Sequence, residues 1–118
     1  MKFHLVESID LDSIPEKNKH GNCYTSAVNY VMKHPDTILV HGIVTGQGAI
    51  EGIEYGHAWV EDGDTVIDTA SGKELPKFLY YALGNIHYTK RYSYNDMLEK
   101  MLETETYGPW DKKILQYP

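Results

Sequence analysis

Three side chains in this sequence have the types and the chain order of an activated nucleophile: Cys23, His57 and Asp68. A thiol gains nucleophilic power when an imidazole takes its proton and a carboxylate holds the ring's tautomer and steadies its charge. The spacing of the last two residues carries a geometric expectation. They flank the segment His57-Ala58-Trp59-Val60-Glu61-Asp62-Gly63-Asp64-Thr65-Val66-Ile67-Asp68. Asp-Gly between two runs rich in β-formers is a hairpin signal, because a type I′ turn needs positive φ at both central positions. A turn centred on Asp62-Gly63 sets His57 directly opposite Asp68. Opposed residues project to one face of a sheet, so the imidazole and the carboxylate are expected within hydrogen-bond reach, about 2.6–3.2 Å. By parity Trp59 and Val66 share that face, where the indole shields the imidazole from water. Ala58, Val60, Thr65 and Ile67 then face the other side.

The elements that position these groups follow from local pattern. Asn22 to Lys33 reads as a helix with Asn22 as its N-cap and an apolar stripe of Ala27, Val28, Val31 and Met32. His34-Pro35-Asp36 ends it, since the residue before proline is pushed out of the α region. Cys23 thus falls at the first or second helical position, where the free backbone N–H groups and the helix dipole favour a thiolate. Each residue also has a plainer reading. A lone Cys is commonly a small buried hydrophobe, His57 a satisfied core histidine, and Asp68 a cap for the turn Thr69-Ala70-Ser71.

Further along, 37–44 and 53–61 read as strands joined by a glycine-rich turn, Thr45-Gly46-Gln47-Gly48-Ala49. Gly46, Gly48 and Gly52 suit a flexible lip over a cleft; no Gly-Lys-Ser/Thr sequence follows, so a phosphate loop is disfavoured. The hairpin strand spans 64–68. A short helix over 77–83 closes at Gly84-Asn85, 86–92 alternates as a strand, and Ser93-Tyr94-Asn95-Asp96 opens a helix to about Glu103 as a capping box. The aromatic tail from Tyr107 through Trp110 has no legible secondary structure. The fold class is α+β: one early helix packed on an antiparallel sheet, with one or two further helices.

At 118 residues the chain is expected to form a single domain over 1–118. An apolar fraction of 42% with 24% charged residues is that of a globular protein. The net charge of −6, with no basic run longer than Lys90-Arg91 or Lys112-Lys113, argues against nucleic acid or an anionic membrane as partner. No apolar stretch approaches the roughly 20 residues of a membrane span, and Met1 to Glu7 lacks the apolar core of a signal peptide. One cysteine excludes an internal disulfide framework. A cytoplasmic location, in its own cell or a host's, is the expectation. Ten tyrosines against two phenylalanines suit either wet, half-exposed binding surfaces or a compositional bias. The histidines show no His-x-His or His-x₃-His spacing, so neither metal nor cofactor is expected.

Gly21-Asn22-Cys23-Tyr24 opening a helix, then His57-Ala58-Trp59-Val60-Glu61, then Val66-Ile67-Asp68, resembles the transglutaminase-like branch of the papain-like cysteine proteases. The resemblance spans about residues 20–70. It departs at Asp68-Thr69, where relatives usually continue Asp-Pro. It implies a papain-like fold and thiol acyl chemistry on an amide, isopeptide or thioester. The substrate would be a peptide, a protein or a small acyl donor. The amide of Cys23 is the natural first oxyanion donor. Asn18, five residues before Cys23 and close to where papain-type enzymes place a side-chain amide, competes with Asn22 and Gln47 for the second. Tyr24 and Trp59 stand beside the nucleophile and the base as substrate-binding candidates. The contrasting class is a binding or inhibitor protein that keeps the fold and docks a partner through its tyrosines and acidic charge.

Overall fold

A computed structural model of the chain describes residues 22–46 and 48–117. Along the chain run α1 (Asn22–Lys33), β1 (Ile38–Thr45), a 3₁₀ turn (Gly48–Ile50), β2 (Glu54–Asp62), β3 (Thr65–Asp68) and β4 (Lys73–Pro76). They are followed by α2 (Lys77–Leu83), β5 (Thr89–Tyr92), α3 (Tyr94–Thr104) and a second 3₁₀ turn (Ile114–Gln116). The five strands form one antiparallel sheet in the order β4-β3-β2-β1-β5. The expected α+β class is thus the observed one. Among the described residues, no helix is long and apolar enough to cross a membrane.

Both faces of the sheet are covered, and strand parity decides which residue goes to which side. On one face Ala27, Val28 and Val31 of α1 and Met97 and Met101 of α3 pack against Leu39, Ala58, Val60 and Tyr92. On the other, Val40, Val44, Trp59 and Val66 pack with Tyr80 and Tyr81 of α2 and with Ile86. Central β1 is buried on both sides, which is why Ile38 to Thr45 shows no polar alternation. Ser93 caps α3 by accepting from the Asp96 amide at 3.1 Å, as a capping box requires.

Three expectations need correction. Asp62 pairs with Thr65, Glu61 with Val66 and Val60 with Ile67, so the hairpin turns at Gly63-Asp64 and not at Asp62-Gly63. Of these two central residues only Gly63 has positive φ, at 61°. That is the type II′ pattern with glycine first, and it spares any aspartate the left-handed region. Asn22 is the first residue of α1 instead of its cap. Lys73–Pro76, to which the sequence reading gave no element, is an edge strand against β3. Its proline opposes Thr65 at the strand's end, where a missing N–H costs the ladder little. The strand expected from Ile86 starts only at Thr89, because Ile86 is drawn into the α2-side core and its N–H bonds to the Tyr81 carbonyl.

Candidate functional site

Moving the turn by one position slides β3 by two residues against β2, and a slide of two leaves parity intact. Asp68 is therefore diagonal to His57 instead of directly opposite, yet on the same face and within reach. The His57 Nε2 lies 3.1 Å from the Asp68 Oδ2. Both residues are buried, at 7% and 8% exposure. Space for the indole behind the ring comes from glycine: Gly42 faces His57 across β1 and β2. A Cβ on Gly42 would stand 2.6 Å from the Cη2 of Trp59, so the indole occupies the volume that a side chain would need. Trp59 is itself fully buried and stacks on His57 with centroids 6.1 Å apart.

Asp68 performs two tasks at once. Its Oδ1 accepts from the amides of Ala70 and Ser71 at 3.1 and 3.3 Å, capping the β3–β4 turn. Its Oδ2 takes His57 and also the hydroxyl of Tyr80, at 2.7 Å. Burial pushes the Asp68 pKa up, but the donors, led by His57, hold it below the ordinary carboxylate range. On His57, burial is the largest influence and favours the neutral ring. The hydrogen bond to Asp68, hydrogen bonding and charge from Cys23, and the charge of Asp68 outweigh it and raise the pKa to about 10. Imidazolium is thus the form present at neutral pH. Nδ1 has no hydrogen bond of good geometry, so the Cys23 contact that helps to raise the ring's pKa is a loose one.

Cys23 is the second residue of α1 and is fully buried. Its charge is felt by His57, Tyr55, Tyr80 and Tyr24. A cavity of about 290 Å³ opens beside the pair, with His57, Asp68 and Tyr80 in its wall; Cys23 does not line it. Neither does Tyr24, which is buried, with its ring edge-on to His41 and its hydroxyl where a Cβ on Gly56 would come within 2.7 Å. Trp59 lies behind the imidazole rather than in the cavity wall. Asn22 is half-buried at the start of α1. Asn18 and Gln47 lie outside the described residues. Among the described residues, no group of three His, Cys, Asp or Glu is placed to hold a metal ion.

Several contributing residues carry no sequence signal. Tyr80 and Tyr81 are neighbours on α2, yet the first serves Asp68 and the second donates at 2.6 Å to Glu61. Glu61 also accepts from the Trp59 Nε1 at 3.0 Å and pairs with Arg91 and Lys77, at 2.5 and 3.3 Å. Burial raises the Glu61 pKa, and the hydrogen bonds from Tyr81, Trp59 and Arg91 more than reverse that. This carboxylate locks the indole that backs His57. Part of the tyrosine excess is thereby explained, since Tyr80, Tyr81 and Tyr88 each give a hydroxyl to a carboxylate. A Tyr-carboxylate pair so far apart in the chain has no fixed spacing to recognise.

The tail also has a structural place. Trp110 packs on His41 and Tyr92, with centroids 5.0 and 4.9 Å away. Ile114 is fully buried, and the Gly56 amide donates to the Tyr117 carbonyl at 3.4 Å, one residue before His57. No protein-family model, no curated protein and no solved structure matches this chain.

Proposed function

We propose that this chain is a thiol-dependent hydrolase or acyltransferase, with Cys23 as nucleophile, His57 as proton carrier and Asp68 as the group that orients the ring. In this reading the domain is a papain-like fold of the transglutaminase-like kind. The observation that carries it is the buried His57–Asp68 contact at 3.1 Å, electrostatically coupled to a thiol in the first turn of a helix. The reacting form pairs the Cys23 sulfur, as thiolate, with the His57 imidazolium, which Asp68 stabilises. The sulfur attacks the carbonyl carbon, and the oxyanion meets the Cys23 backbone N–H at the helix start. The carbon–nitrogen bond breaks as the imidazolium gives its proton to the departing nitrogen. Water or an amine then attacks the thioester and returns a proton to the ring, and the sulfur leaves as thiolate.

One observation favours the contrasting class of a binding protein: the thiol is fully buried and absent from the cavity wall. Catalysis therefore requires a local opening at Cys23, and a binder requires none. Iodoacetamide separates the two. An activated thiolate is alkylated near pH 7 faster than free cysteine, with the adduct on Cys23, and Cys23→Ala abolishes acyl transfer with little change in melting temperature. A Cys23 that stays unmodified until the protein unfolds sinks the catalytic reading.

A further inference from the structure

The cavity beside the pair runs across the sheet from β4 to β1, and its two ends differ. At one end Lys73 of β4 stands opposite Asp68 in register, so both side chains rise from the same face. At the other, Val44 and Thr45 of β1 meet the segment after α2, where the Thr45 amide donates to the Gly84 carbonyl at 2.8 Å. Neighbouring strands lie about 4.8 Å apart, so about 14 Å separates β4 from β1. Val44, Ile50, Leu83 and Ile86 make the far end apolar. The groups between the ends are already satisfied. The Asp68 charge is matched by the His57 imidazolium, Tyr80 donates to the same carboxylate, and Tyr55 sets its ring edge-on to His57. Lys73 is different: among the described residues its ammonium has no carboxylate within ion-pair distance. The Ser71 hydroxyl beside it makes only a 3.5 Å bond to the Asp68 carbonyl and accepts from the Lys73 amide at 3.3 Å. With His57 and Asp68 cancelling, Lys73 is the uncompensated charge in the wall.

We propose that this cavity binds a medium-chain aliphatic monocarboxylate, with its carboxylate on Lys73 and Ser71 and its chain laid across the sheet towards Leu83 and Ile86. At about 30 Å³ per water-sized group, 290 Å³ holds on the order of ten non-hydrogen atoms, which sets the length. One ammonium matches one negative charge. A dianion such as phosphate would leave its second charge facing Asp68. The site makes no use of Cys23, which is absent from the wall, so it stands or falls independently of the thiol reading.

The test titrates octanoate, a molecule of that size, into the full ¹⁵N-labelled chain near neutral pH. Saturable shifts are expected at both ends of the cavity, in the amides of Ser71 and Lys73 and in those of Gly84 and Ile86. Octanamide keeps the length and loses the charge, and it should bind about 5-fold more weakly, the worth of one exposed ion pair. Lys73→Met keeps an unbranched side chain without the ammonium and should erase that difference; Lys73 is exposed, so the fold should tolerate it. Leu83→Trp should weaken both ligands, because Leu83 is half exposed and a larger side chain there can fill the cavity without disturbing the core. Absence of a saturable shift overturns the proposal. So do equal affinities for the two ligands, a preference for octanoate that survives Lys73→Met, and binding that is unaltered in Leu83→Trp. None of these readings involves the thiol.

Discussion

Replacing Asp68 by asparagine tests the site without dismantling it. An asparagine oxygen can still accept from the Ala70 and Ser71 amides, so the turn that Asp68 caps should survive. The change falls on Oδ2. That atom now receives a bond from an imidazolium in a buried setting, and a hydrogen bond to a charged partner is worth about 1.5–3 kcal/mol. At about 1.4 kcal/mol per pKa unit, the His57 pKa should fall by about 1–2 units from its value of about 10. It should not return to that of a free histidine, because Cys23 continues to act on the ring. The amide NH₂ would also require Nε2 to accept a hydrogen bond, forcing the neutral ring's proton onto Nδ1, the tautomer that cannot take a proton there. Ring nitrogen and carbon chemical shifts of labelled histidine, followed from pH 5 to pH 11, report both quantities. An unchanged pKa and tautomer would refute the claim that Asp68 governs His57.

Tyr80→Phe should move the same resonances the opposite way. With Tyr80 gone the whole of Oδ2 is left to the imidazolium, so the His57 pKa rises by about one unit or less, while Tyr81→Phe, whose hydroxyl serves Glu61, leaves it in place; a fall in Tyr80→Phe refutes this account. Stability should peak near pH 6.5 for two reasons of opposite sign. Burial lowers His41 to about 3, against the attraction of Asp111, so the unfolded chain binds the extra proton and stability is lost as pH falls from about 6.5 towards 3, by at most about 5 kcal/mol. His57 is raised to about 10, so its contribution is complete below about 6.5 and is lost as pH rises towards 10. Urea titrations across pH should show His41→Phe flattening the acid limb alone, and an unaltered limb would count against the histidine. Gly56→Ala places a methyl 2.7 Å from the Tyr24 hydroxyl and 3.0 Å from Ile114, and should cost about 1–3 kcal/mol by denaturant midpoint. An unmoved midpoint would show that the tail does not press on β2 as described.

Much of this molecule is legible in local sequence. The bounds of α1, the short α2, the capped α3 and the strands flanking the hairpin follow from periodicity, proline and caps, because each depends on a few residues adjacent in the chain. Parity alone assigned His57, Trp59 and Asp68 to one face, and it held when the turn moved, since a two-residue slide preserves facing. The position of the turn itself followed from placing Gly63 first, so that glycine alone takes positive φ and Asp62 stays in the strand. Other features exist only in three dimensions. Lys73–Pro76 has little strand propensity and becomes a strand because β3 offers it an unpaired edge. Tyr80 reaches Asp68 and Tyr81 reaches Glu61 because α2 crosses the sheet at that point, a matter of packing that no spacing encodes. The burial of Cys23 and the cavity beside His57 are likewise properties of how separate elements close on one another. A linear sequence states which side chains exist and which face they take, and only the packed layers determine what stands against them.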